Sequence, residues 1–108
     1  MDNSTSLKER YQSIKSEIAE LALKSGRSAD SVKLMLVSKT VPVERILKTV
    51  ELGHKLYGEN KVQELSDKVP RLAEENVEFH FIGHLQSNKV KRCLELATMI
   101  HSVDRISL

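Results

Sequence analysis

Lys39 follows a short apolar run, Leu34-Met35-Leu36-Val37, in the stretch Val37-Ser38-Lys39-Thr40. Four apolar residues are too few for an ordinary helix and fit a strand buried on both faces. Such strands belong to parallel sheets covered by helices, where chemistry gathers at the carboxyl ends of the strands. A lysine there, desolvated against neighbours such as Val37, would keep part of its amine neutral and attack a carbonyl to give a Schiff base. Taken alone, Lys39 reads more simply as a solvated side chain, because lysine is seldom buried. Two more polar clusters change the weighting: Tyr57-Gly58-Glu59-Asn60 and His80-Phe81-Ile82-Gly83-His84-Leu85-Gln86-Ser87-Asn88-Lys89. A parallel sheet would bring all three to one rim. The first offers a nucleophile, the second a carboxylate and an amide, the third an imidazole and further amides.

Other polar residues point to less. His80 and His84 have the spacing of a metal pair on a helix, but on a strand four residues span about 13 Å, too far to share one ion. His80 reads as a satisfied structural histidine and His84 as a rim residue. Glu59 and Glu64 show no paired geometry and read as solvated carboxylates near a helix start. Lys89, Lys91 and Arg92 form a basic cluster whose default reading is a solvated face, with anion contact at a helix N-terminus as the alternative. No glycine-rich phosphate loop is present.

The elements that must position these residues follow from periodicity. Ser6-Leu7-Lys8-Glu9 fits a capping box, and Leu7, Tyr11, Ile14, Ile18 and Leu21 form a helical stripe that Gly26 can end. The first strand ends near Ser38. Pro42 suits the first turn of a second helix with Val43, Ile46, Leu47 and Val50 inward, closed by Gly53. His54–Tyr57 reads as the second strand. Val62, Leu65 and Val69 begin a third helix that Pro70 should break or kink, leaving Leu72 on a second segment. Glu78–Ile82 is the third strand. Ser87 suits the N-cap of a fourth helix carrying Val90, Leu94 and Ala97, and Met99–Val103 is the fourth strand. Strands recurring about every two dozen residues with helices between them predict an α/β array of right-handed βαβ units. A complete eight-stranded barrel needs about 250 residues, so four strands in 108 residues suggest either a small open domain or half a barrel.

Composition sets limits. Apolar residues make up 40% and charged residues 30%, as in an ordinary globular domain. Tryptophan is absent and aromatics are only 4%, so aliphatic side chains must build the core. A net charge of +2, without a basic stripe or clustered aromatics, argues against a nucleic-acid or membrane partner. The single cysteine, Cys93, excludes an internal disulfide, reads as a partly buried inert thiol and suits a reducing cytosol. No apolar stretch is long enough to span a membrane, and the N-terminus has no signal core.

Together the segments Leu36–Thr40, Tyr57–Glu64 and Phe79–Lys89, with the strand His101–Asp104, closely resemble the N-terminal half of the pyridoxal phosphate homeostasis proteins, the YggS/PROSC family. The resemblance implies that residues 1–108 are one partial alanine-racemase-N-terminal-like domain: a leading helix plus four βα-type units, half of a (β/α)8 TIM-like barrel. It implies that Lys39 holds pyridoxal 5′-phosphate as an internal aldimine, with Asn60 and His84 near the cofactor ring. It also implies a cytoplasmic homeostasis or carrier role without turnover, with PLP-dependent apo-enzymes as recipients. Family members are about twice as long, as a full barrel requires, and their phosphate-binding elements lie in the second half. Two other readings are a PLP-dependent racemase-like enzyme, for which an opposing acid/base from a further domain is missing, and a truncated remnant that does not bind. Half a barrel should also leave interior residues such as Leu36, Leu56, Phe81, Ile100 or their strand neighbours uncovered and its edges unpaired, which predicts a homodimer or a partly molten chain.

Overall fold

The computed structural model describes residues 3–101, with side chains from residue 6. Contacts divide the chain into two compact units, Met1–Leu34 and Met35–Leu108.

The first unit is built on helix α1, Asn3–Lys24. Ser6 lies inside this helix and does not cap it; once a helix is nucleated, each added residue gains a backbone bond, so it runs back past the capping box. The predicted stop is present. The Gly26 amide donates to the Leu23 carbonyl at 3.1 Å and the Arg27 amide to Ala22 at 2.9 Å, with Gly26 at φ 77°. These are the paired bonds of a Schellman ending. The expected stripe is only partly covered: Tyr11 and Ile18 are half-buried, whereas Ile14 and Leu21 are exposed.

The second unit carries a parallel four-stranded sheet, β1 (Leu36–Val37), β2 (Leu56–Glu59), β3 (Glu78–Phe81) and β4 (Met99–Ile100), in the order β1-β2-β3-β4. Helices α2 (Val43–Glu51), α3 (Val62–Arg71) and α4 (Val90–Leu96) connect successive strands. An all-parallel sheet whose neighbours follow chain order is the expected α/β fold, with the winding of half a (β/α)8 barrel. Residues 102–108, including the predicted strand end at Val103, lie outside the described residues.

The core joins Val43 and Ile46 of α2, Val62 and Leu65 of α3 and Cys93 of α4 to Tyr57, Phe79 and Phe81 of the sheet. The expected inner-face residues Leu47 and Val50 are partly buried against the core, and Thr49, outside the expected stripe, is buried with them. Its hydroxyl donates to the Ile46 carbonyl at 2.7 Å and meets the Tyr57 hydroxyl at 2.7 Å, so its polar atom goes inside already partnered. Gly53, at φ 95°, ends that helical segment as expected.

Several elements sit one or two residues from their predicted places. β2 begins at Leu56 because Gly58 and Glu59 pair with His80 and Phe81; His54 lies before it, its Nε2 2.6 Å from the Leu56 carbonyl. Pro70 falls one residue before the end of α3, so it marks the helix stop, and a 3₁₀ turn, Ala73–Glu75, follows the capping Leu72. Ser87 opens a 3₁₀ turn, Ser87–Lys89, that tightens the entry to α4, so Lys89 and not Ser87 is that helix's N-cap. On α4 it is Cys93 that is fully buried, while Leu94 is exposed.

The sheet faces are also assigned differently. Phe81 is buried against the helices, and Leu36 and Ile100 are partly buried on the core side, while Leu56, next to buried Tyr57, lies on the opposite face as expected. The exposed apolar residues are their strand neighbours Val37 and Met99, at 50% and 52%. Side chains alternate along a strand, so a one-residue error in phase exchanges the two faces.

Candidate functional site

Lys39 leaves the carboxyl end of β1 in a turn closed by the Val41 amide donating to the Ser38 carbonyl at 3.0 Å. Thr40, at the third position of that turn, has φ 61°. This is the left-handed conformation that a type II turn normally gives to glycine or asparagine. For a β-branched residue it is strained, at a cost of about 1–3 kcal/mol, and persists only where the surroundings over-determine it.

The surroundings do so through one buried network. Ser38 is 3% exposed, and its hydroxyl donates to Glu59 Oε2 at 2.5 Å. Lys68, on the inward face of α3, donates to the same Glu59 oxygen at 2.6 Å, to the Ser38 carbonyl at 2.7 Å and to Glu64 Oε1 at 3.2 Å. Glu64 Oε1 in turn accepts the Thr40 amide at 2.8 Å. Glu59 and Glu64 are therefore not isolated solvated carboxylates: Glu59 is fully buried, and both share the Lys68 ammonium. Desolvation pushes the Glu64 carboxyl up, but the Thr40 amide and the Lys68 charge outweigh it and hold the group below its ordinary range. Among the described residues, Glu59 Oε1 has no hydrogen-bond partner.

Asn60 follows Glu59 at the end of β2. It lines a cleft of about 440 Å³ with Lys61, Gln63, Phe81, His84, Gln86 and Lys89. The Asn60 Oδ1 atom is buried and has no partner among the described residues. The loop after β3 passes so close to Asn60 that a Cβ on Gly83 would lie 2.1 Å from the Asn60 carbonyl oxygen, so only glycine fits there. His84, just beyond, is exposed at the cleft as the expected rim residue. His80 is the expected satisfied histidine, buried with Nδ1 3.0 Å from His101 Nε2 and Nε2 2.5 Å from Glu78. No cluster of His, Cys, Asp or Glu that could hold a metal ion occurs among the described residues.

The structure thus brings Asn60 and His84 to one cleft. Lys39 does not line it. Lys39 and Asn60 follow the carboxyl ends of the paired strands β1 and β2, which puts both on the same rim. Contrary to the expected desolvation, Lys39 is exposed, as is Val37. Sequence reasoning missed Ser38, Glu59 and Lys68 as a unit. Their signals were faint: Glu59 alternates in phase with buried Tyr57, and Lys68 stands three residues from Leu65 on the inward face of α3.

No family model matches the chain. It is 41% identical, over 93% of its length, to a pyridoxal phosphate homeostasis protein of Vibrio cholerae, and that match spans 44% of the relative. PipY of Synechococcus elongatus, solved with PLP bound, is 38% identical with a TM-score of 0.70, covering 83% of this chain and 43% of PipY. A protein of unknown role from Bifidobacterium adolescentis is 29% identical with a TM-score of 0.84, covering 99% of this chain and 49% of its own. The strand-end motifs therefore resemble what they were expected to resemble: this chain is similar to the pyridoxal phosphate homeostasis proteins along most of its length, and spans a little under half of theirs.

Proposed function

We propose that this chain binds pyridoxal 5′-phosphate covalently through Lys39, with Asn60 and His84 beside the bound ring, in a cofactor homeostasis or carrier role without turnover. When bound, the cofactor supplies an aldehyde that condenses with a primary amine, forming one C=N bond and releasing one water. The observation that carries the reading is that exposed Lys39 and Asn60 follow the carboxyl ends of the paired neighbouring strands β1 and β2. The residues fit the cofactor in two ways. The exposed Lys39 amine is open to an aldehyde, and Asn60 and His84 line one cleft whose amide, imidazole and ammonium groups can hydrogen-bond a polar ligand. The PLP-bound relative and the names of the curated relatives support the same choice.

In this reading residues 1–108 form one partial barrel domain that works in the cytoplasm and passes cofactor to PLP-dependent apo-enzymes, and the chain pairs with a second copy through its sheet edges. No helix among the described residues is long and apolar enough to cross a membrane.

The test is covalent. The protein is incubated with pyridoxal 5′-phosphate, reduced with borohydride, digested and mapped. Lys39 should carry most of the pyridoxyl label, and Lys39→Ala should remove it. Label spread evenly over Lys8, Lys61 and Lys91 would overturn the assignment. Amino-acid racemisation above background would overturn the carrier role.

A further inference from the structure

Three groups that the cofactor reading leaves without a role meet under the turn that carries Lys39. Thr40 is held at φ 61°, a strained conformation for a β-branched residue, and its hydroxyl donates to the Lys39 carbonyl at 2.5 Å. Its amide is bonded to Glu64 Oε1 at 2.8 Å. Glu64 is fixed from behind by Lys68, a lysine 5% exposed that also grips the Ser38 carbonyl closing the same turn. Solvation alone does not account for an ammonium placed there, because a buried lysine is costly unless paired. Its three short contacts converge on the ends of β1 and β2 and on Glu64.

We propose that Glu64, backed by Lys68, is a positioning residue for Lys39: it holds Thr40 in the left-handed conformation and so sets the course of the lysine as it leaves β1. The inference rests on the reading of Lys39 as the cofactor lysine. Neither Glu64 nor Lys68 hydrogen-bonds the reacting amine. Their effect passes through the Ser38–Val41 turn. Without the Glu64 acceptor, Thr40 relaxes to negative φ, the turn opens and Lys39 samples directions away from Asn60. A glycine at position 40 would adopt the same conformation unaided, so the need for Glu64 should vanish in its presence.

This gives a rescue experiment. The rate of borohydride-trapped modification of Lys39 by pyridoxal 5′-phosphate is measured by peptide mapping, with Lys8 and Lys91 as internal references. Glu64→Ala should slow Lys39 by about ten-fold relative to those lysines, the scale of a small misplacement of a reacting group. The double variant Glu64→Ala with Thr40→Gly should return to within about two-fold of the parent. A Glu64→Ala rate equal to the parent's, or no recovery in the double variant, would overturn the proposal. Amide hydrogen exchange at Thr40 tests the positioning without cofactor: it should be slow in the parent and fast in Glu64→Ala, and equal exchange in both overturns the proposal. If the parent fails to label Lys39 preferentially, the cofactor reading falls, while the Thr40 exchange still decides whether Glu64 holds the turn.

Discussion

Glu64 shows how a side chain with an ordinary helical address acquires a special one. It sits in the first turn of α3, where a carboxylate is favoured by the helix dipole, yet its oxygen is also claimed by the Thr40 amide and the Lys68 ammonium. Burial raises its pKa, and these two partners lower it further than burial raises it, so the folded value lies below the ordinary 4.5. For a carboxyl depressed on folding, the stabilisation is complete above the unfolded pKa and is lost as pH falls through the folded one. The parent should therefore exceed Glu64→Gln in stability by a constant margin above about pH 5, and the margin should shrink steadily below it. Urea unfolding of both proteins across that range checks this; a margin that widens with acid would contradict the assigned bonds.

At the scale of elements, α3 is tied to the sheet by a charge as well as by Val62 and Leu65. Lys68 reaches past the apolar layer to Glu59 at 2.6 Å and to the Ser38 carbonyl, so one side chain joins α3 to both β1 and β2. Truncating it would strand the Glu59 carboxylate, which is fully buried and already lacks a partner for Oε1 among the described residues. Lys68→Ala should destabilise the fold by about 3–5 kcal/mol, the cost of leaving a buried charge unpaired. Pairing Lys68→Met with Glu59→Gln should recover much of that loss, because residues of one network are not additive. Chemical denaturation of the single and double variants measures both.

For the whole molecule, the consequence lies on the sheet face away from the helices. Val37 and Met99 are half-exposed there, and β1 and β4 are the outer strands of the sheet. Unpaired strand edges beside apolar surface invite another chain. We expect the 108-residue chain to associate with itself, with a mass by light scattering and an unfolding midpoint that both rise with protein concentration. A monomeric species with concentration-independent unfolding would remove this expectation.

What the sequence determined by itself is whatever depends on local pattern. The α/β class, the strand–helix alternation, the glycine stops at Gly26 and Gly53 and the strand-end motifs carrying Lys39, Asn60 and His84 all follow from short-range periodicity and residue type. Only the tertiary structure decided which face of each element is inside, because strand alternation makes a one-residue slip exchange core for surface, as it did for Phe81 and Val37. It also decided the partners of charged residues. Ser38, Glu59 and Lys68 are separated by 21 and 9 residues along the chain, and nothing in their spacing announces a bond. They meet because parallel register brings Ser38 beside Glu59 while α3 packs back across both strands, and a buried charge is stable only where folding delivers its counterpart.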